Sequence, residues 1–120
     1  MRHYDELARL EREGYTVIVD KTWEDIHPRD CFDDTVTDIN EICRKIDSCD
    51  LDWFMLRVRV LIDDHELGSH YLGGCCYEDA RQVLTDGTAE DCIYEAMNEA
   101  RQEARRLVGS LQRVIDTETV

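Results

Sequence analysis

The architecture of this 120-residue chain can be inferred outward from residues 53–62, which read WFMLRVRVLI. The residues at even positions from Leu56 onward are all apolar, whereas the alternate positions include Arg57 and Arg59. This period of two predicts a β-strand with one face on the core and the arginine face in solvent. Residues 66–75 are expected to return as an antiparallel partner strand after an Asp-Asp turn.

Other segments show the spacing of helices and of one further strand. A short β run covers residues 15–19, and residues 23–30 are expected to be irregular because Pro28 disfavours a helical conformation before it. The predicted fold is a single α+β domain over residues 1–120, in the order α-β-α-β-β-α. It has a small antiparallel sheet of about three strands, with the long C-terminal helix packed on one face. Helical spacing of apolar residues predicts helices over residues 3–13, about 34–47, 77–84, and 88 to about 115, with a frayed tail after that.

The charge of the chain is strongly negative and unevenly placed. Acidic residues outnumber basic ones 28 to 14, and the net charge is −14. Residues 20–52 carry a net charge of −7, and residues 63–91 carry another −7. Such a field repels nucleic acid and membrane surfaces and attracts basic proteins. The predicted partner is therefore a basic protein surface, with no direct binding to nucleic acid or membranes.

The distribution of apolar residues predicts a cytoplasmic protein. No apolar run approaches the roughly 20 residues that a membrane span needs, and the charged N-terminus lacks the apolar stretch of a signal peptide. In that compartment the six cysteines are expected to be reduced and to behave as small apolar residues.

Candidate metal ligands occur in the returning strand as His65, His70, Cys75 and Cys76. The two cysteines are adjacent, so their side chains point to opposite faces of a strand, whereas zinc ligands usually stand two to four residues apart. A calcium loop beginning at Asp47 would lack the glycine that such loops require. No metal and no cofactor are therefore predicted, and a Cys/His metal-binding domain is kept as an alternative.

Catalytic chemistry has one candidate pair, His27 and Cys31, four residues apart. Nothing near them in the sequence supplies an oxyanion hole or a third orienting group. Residues 73–74 are glycines, but no Lys-Ser or Lys-Thr follows them as in a phosphate-binding loop. The sequence therefore predicts a protein that is not an enzyme.

The favoured candidate site is a row of carboxylates on the helix predicted from residue 34. Its apolar stripe faces the core, which places Asp34, Asp38 and Glu41 at i, i+4 and i+7 on the opposite face. Neighbours in such a row lie about 5–6 Å apart, a separation comparable with the charge spacing of a nucleic-acid strand. The alternative is an ordinary solvated helix face. The predicted partner-binding residues are Asp30, Asp33, Asp34, Asp38, Glu41, Asp47 and Asp50.

In its general character, the chain resembles the small acidic proteins with which phages and mobile elements block host defence. The resemblance lies in its size, its pI near 4.5, its clustered acids and its lack of catalytic motifs. Those proteins include anti-restriction and anti-CRISPR proteins, some of which mimic DNA. The resemblance covers the whole chain without a sequence signature, so it transfers no functional residue. It implies an inhibitor, in the host cytoplasm, of a CRISPR effector or a restriction-type nuclease.

A protein of a different class remains open as an alternative. The C-terminal helix has an apolar face in which Met97, Leu107, Leu111 and Val114 could serve a partner helix. On this interpretation the chain would be a small homodimeric structural or assembly protein.

Overall fold

The chain forms a four-stranded antiparallel sheet with one long helix on one face. A computed structural model describes residues 2–31 and 38–118. The strands are β1 (Asp5–Arg12), β2 (Tyr15–Trp23), β3 (Asp52–Ile62) and β4 (His65–Tyr77). The helices are α1 (Pro28–Cys31), α2 (Ile39–Asp47) and α3 (Thr88–Glu118), with a 3₁₀ turn at Ala80–Leu84. The predicted α+β class with a long C-terminal helix is confirmed, but the sheet has four strands rather than about three.

The first element is a strand, so the helix predicted for the N-terminus is wrong. β1 pairs with β2 through a hairpin whose two turn residues, Glu13 and Gly14, have φ angles of 53° and 87°. Two-residue turns of type I′ require positive φ at both positions. Leu7, Ala8 and Leu10 have helical spacing, but a bulge near the start of β1 lets all three pack against the core. Strand pairing therefore overrides the local pattern.

The sheet runs β1-β2-β3-β4 in chain order, with each neighbour antiparallel. The predicted strand pair and its turn are confirmed, since Ile62 faces His65 and the intervening aspartates have φ angles of 48° and 68°. Ile62 itself, predicted to face the core, is 39% exposed at the end of the strand. The core between β3 and α3 is formed by Phe54, Leu56, Val58, Val60, Ile93, Ala96, Met97 and Ala100, all 3% exposed or less.

Gly68 of β4 lets α3 approach the sheet closely. A Cβ atom at this position would lie 2.3 Å from the carbonyl oxygen of Ala96 and 2.7 Å from the amide nitrogen of Ala100. Real Cβ atoms do not approach backbone atoms so closely, so glycine is required for this packing. The contact fixes the position at which α3 crosses the edge of the sheet.

The second face of the sheet has a buried ion pair rather than the solvent-facing arginines predicted from the alternation. Asp20 of β2 is 3% exposed and accepts hydrogen bonds from Arg57 of β3. The ring of Tyr4 lies 3.4 Å from the Arg57 guanidinium carbon, and Arg59 lies 3.6 Å from Asp20. Long side chains thus cover this part of the face.

Two helix boundaries differ from those predicted. Helix α2 begins at Ile39 and not near residue 34, with Asp38 as its N-cap. The caps predicted at Asp33 or Asp34 lie outside the described residues. Helix α3 begins at Thr88 as predicted, but it continues to Glu118 and so includes residues 116–118, where fraying was expected.

Candidate functional site

Of the predicted acidic row, Asp38 and Glu41 lie within the described residues, and only Glu41 lies on α2 itself. Asp38 lies at the N-cap, where its Oδ1 accepts a hydrogen bond from the backbone N–H of Glu41 at 3.1 Å. Its carboxylate therefore accepts a hydrogen bond from a free backbone N–H of the first turn instead of extending along an outer face of the helix. Asp33 and Asp34, the N-terminal members of the predicted set, lie outside the described residues.

Glu41 is on the helix surface, but it has a cationic neighbour. Arg44 Nη2 donates to Glu41 Oε1 at 2.5 Å, and Arg44 Nε donates to its Oε2 at 3.1 Å. These hydrogen bonds hold the pKa of Glu41 below its usual range. Both side chains are largely accessible to solvent, so the pair adds little to stability. Its local charge is close to zero, which weakens the row that the sequence predicted.

The remaining predicted residues are exposed but belong to separate segments. Asp30 is in α1, Asp47 is the last residue of α2, and Asp50 lies in the turn that follows. Asp50 Oδ2 accepts a hydrogen bond from Ser48 Oγ at 2.9 Å. The connection between β2 and β3 thus presents acids to solvent without aligning them on one helix face.

A row of carboxylates does occur on α3, outside the segment predicted to carry one. Asp91, Glu95, Glu99 and Glu103 follow one another at intervals of four residues, which corresponds to a rise of about 6 Å per step. The first three are exposed, and their side chains have no hydrogen bond or ion pair within the described residues. Glu103 pairs with Arg106 at 2.5 Å, which lowers the pKa of its carboxyl group.

These four carboxylates face the free edge of the sheet. Asp91 and Glu95 share a hollow with His70 and Leu72 of β4, and Glu99 and Glu103 share a second hollow with β4 residues 66–68. The hollows have volumes of about 510 Å³ and 380 Å³. β4 is an edge strand, so no further strand of the described residues pairs with it on this side. We refer to Asp91, Glu95, Glu99 and Glu103 together with Glu66 of β4 as the acidic groove.

Net charges of successive segments do not reveal the acidic groove. Asp91 ends the strongly acidic segment 63–91, whereas the other three carboxylates of the row lie in residues 92–120. Arginines in the second half of α3 reduce the net charge of residues 92–120 to −1. The signal was nevertheless present as acids at every fourth position. Since positions i and i+4 are neighbours on a helix surface, a periodicity test of the acids would have found it.

Three of the cysteine thiols are suited to packing rather than to nucleophilic chemistry. Cys75 is buried and Cys76 half-buried, as expected for adjacent residues of a strand. Burial raises the pKa of Cys75 to about 11 and also raises the pKa values of Cys76 and Cys92. These thiols therefore stay protonated near neutral pH. The side chain of Cys31, half of the predicted His27–Cys31 pair, lies outside the described residues.

The described part of the chain has no cluster of three or more His, Cys, Asp or Glu side chains arranged to hold a metal ion. Nor does it contain a helix that is both long and apolar enough to cross a bilayer. Searches of protein-family models, of curated proteins and of solved structures found no match to this chain. Its function must therefore be argued from its own surfaces.

Proposed function

We propose that this protein is a phage or mobile-element inhibitor of a host nucleic-acid-targeting defence complex. Its target would be a CRISPR effector or a restriction-type nuclease, and it would bind a basic surface of that complex through clustered carboxylates. The observation that carries the proposal is the acidic groove. Three of its carboxylates, Asp91, Glu95 and Glu99, are exposed without a cationic partner in the described structure.

The electrostatics of the groove favour a partner that is rich in arginine and lysine. Asp91, Glu95 and Glu99 extend over about 12 Å of helix, and Glu66 adds a charge from the strand beside them, whereas Glu103 is paired with Arg106. Unpaired like charges at this spacing repel one another by a few tenths of a kcal/mol per pair in the free protein. A cationic partner would relieve that repulsion, and the field would accelerate association by attracting such a partner.

The charge density of the groove bears on whether such binding would imitate DNA. One carboxylate per 6 Å is about half the density of one DNA strand, which carries a phosphate every 3.4 Å of its axis. The spacing of the carboxylates therefore favours general attraction to a basic channel over a close imitation of the phosphate spacing of DNA. The carboxylates predicted at Asp30, Asp47 and Asp50 would form a second contact region on the same partner.

The test is a plaquing assay in cells that carry defined CRISPR or restriction systems. Expression of the wild-type chain should restore plaquing of a targeted phage in at least one system. Glu95→Lys/Glu99→Lys should abolish the effect, because it replaces two attractions with two repulsions on one helix face. Asp47→Lys/Asp50→Lys is the matched control, since it makes the same charge change on the predicted segment.

The outcomes distinguish the proposed function from the proposed contact surface. Protection of the phage by wild type and by the Asp47/Asp50 variant, but not by the groove variant, supports binding through the groove. Loss of protection only in the Asp47/Asp50 variant would move the contact back to the segment between β2 and β3. No protection by the wild-type chain across a panel of CRISPR and restriction systems would contradict the proposed function.

A further inference from the structure

The second half of α3 extends away from the core of the domain. Buried residues of the helix end at Ala100, and none of residues 101–118 is buried. Arg101 still contacts the body through Glu13, at 2.5 Å, and Gln102, Glu103 and Arg106 line a hollow beside β4, so the helix leaves the body gradually; we define the extending segment as residues 102–118. Its 17 residues have a length of about 25 Å. This extension accounts for the elongated shape of the molecule, 68 Å by 28 Å by 25 Å.

The extending segment carries an apolar stripe without a partner in the described structure. The stripe continues the spacing of three and four residues by which Ile93, Met97 and Ala100 pack on the sheet. Met97 is 2% exposed and belongs to the core, so it cannot serve a partner helix as predicted. The stripe consists of Ala104, Leu107, Val108, Leu111, Val114 and Ile115, of which the last four large side chains are 51–66% exposed.

A helix of this kind is marginal when it stands alone in water. Isolated helices of about 15 residues are scarcely stable even with favourable sequences. The extending segment also contains Gly109, Ser110 and several β-branched residues, which lower helix propensity. Packing of the stripe against another surface would therefore stabilise the helical state of residues 102–118.

We propose that a second copy of this chain covers the stripe, with the two extending segments packed antiparallel around Leu111. The stripe is nearly self-complementary about that residue, because Leu107 and Ile115 stand at equal distances on either side of it. Two copies related by a twofold axis would then place Leu111 against Leu111 and Leu107 near Ile115 of the partner. This inference concerns a different surface from the acidic groove and does not depend on the proposed function.

The distribution of charge favours this segment as the contact between two copies, and it favours an antiparallel arrangement of the two helices. Residues 102–118 contain three arginines and three acids and are neutral, so the whole net charge of −14 lies in residues 1–101. The extending segment is thus the part of the chain at which two copies can meet with least repulsion. An antiparallel pair keeps the two acidic bodies at opposite ends, whereas a parallel pair would place them side by side.

The size of the contact predicts a weak dimer. About ten residues of each copy would take part, against 20–30 on each side of a standard interface. Micromolar dissociation constants are therefore expected. Because the bodies repel each other and the contact itself is apolar, added salt should strengthen the dimer. Binding of the acidic groove to a basic partner has the opposite salt dependence, which distinguishes the two surfaces.

Sedimentation equilibrium of the full chain from 1 to 200 μM, at 50 mM and 500 mM salt, tests the inference. Wild type should show a monomer–dimer equilibrium that tightens at least threefold at the higher salt. Leu111→Glu should be monomeric at both salt concentrations. Gln112→Glu, which adds the same charge one residue further on and outside the stripe, should dimerise like wild type.

Small-angle scattering of the concentrated protein tests the direction of packing. An antiparallel dimer should have a maximum dimension of about 110 Å, because two 68 Å molecules would overlap only along their helix ends. A dimension near that of one molecule would overturn the antiparallel arrangement. A wild-type chain that is monomeric at 200 μM, or a dimer that Leu111→Glu leaves intact, would overturn the inference as a whole.

Discussion

Arg57 and Asp20 form a doubly hydrogen-bonded ion pair across β3 and β2, on the face of the sheet opposite α3. Arg57 Nε and Nη2 donate to the two carboxylate oxygens at 2.8 Å and 2.6 Å. Asp20 is almost completely buried, and these bonds raise the pKa of Arg57 above its usual value. A buried carboxylate of this kind depends on its partner, because its desolvation is offset only by the bonds it receives.

Substitution of Arg57 is therefore expected to destabilise the protein. Arg57→Ala should lower the free energy of unfolding by about 3 kcal/mol, since it leaves Asp20 buried without its main partner. The measurement is urea denaturation followed by circular dichroism. Arg9→Ala, which removes an exposed pair with Glu6, is the control and should change stability by less than about 1 kcal/mol. If both substitutions had the same effect, the Arg57–Asp20 pair would be accessible to solvent rather than buried.

Two glycine-to-alanine substitutions should have opposite effects on stability. Gly68→Ala should cost about 1–3 kcal/mol or more, because the added methyl would meet the backbone of α3 at Ala96 and Ala100. Gly109→Ala should stabilise by up to about 1 kcal/mol, because its site in α3 is open and alanine favours helix. Thermal denaturation of both variants measures the difference. A Gly68→Ala protein as stable as wild type would contradict the close approach of helix and sheet.

The two ends of α2 should respond differently to loss of a carboxylate. Asp38→Ala removes the N-cap and should cost about 1 kcal/mol. Asp47→Ala removes an exposed acid from the last turn, where the helix dipole disfavours negative charge, and should be neutral or slightly stabilising. Chemical denaturation provides the comparison. Tolerance of Asp38→Ala would show that the helix begins before residue 38.

The buried thiol of Cys75 should make folding sensitive to alkaline pH. Burial raises its pKa to about 11, whereas an unfolded thiol ionises near 8.5. Between these values the folded state retains a proton that the unfolded state has lost, so stability falls as pH rises through this window. Urea denaturation at pH 7, 9 and 10 under reducing conditions should show this decline.

Cys75→Ala supplies the control for the alkaline effect. The variant should be less stable than wild type at pH 7, because it leaves a small cavity in the core. Its stability should nevertheless decline less steeply with pH, since one titrating group with a raised pKa is gone. Parallel pH profiles of the two proteins would show that Cys75 does not contribute to the decline.

Much of the fold could be predicted from the local sequence pattern. The alternation of residues 53–62 identified β3 and its buried face, and the aspartate pair that follows identified the hairpin. The apolar spacing after Thr88 identified α3. These elements were predictable because the apolar residues of each recur with a long, regular period. That period identifies both the type of element and the face that is buried.

The failures occurred where a residue's surroundings depend on a distant part of the chain. β1 has helical spacing, and only its pairing with β2 and the bulge within it made it a strand. Arg57 alternates like a solvent-facing residue, and only the buried Asp20, 37 positions away in sequence, made it structural. Local pattern contains no information about which side chain a neighbouring strand will place opposite.

The same distinction applies to the candidate surfaces. Composition alone established a net charge of −14, and helical periodicity would have aligned Asp91, Glu95 and Glu99. Only the tertiary structure placed that row against the open edge of β4, and only it showed that α3 leaves the core after Ala100. Periodicity determines which residues share a face of a helix, because that is a property of helix geometry. Which part of that face is buried depends on where the sheet ends, and this is determined by the packing of the whole chain.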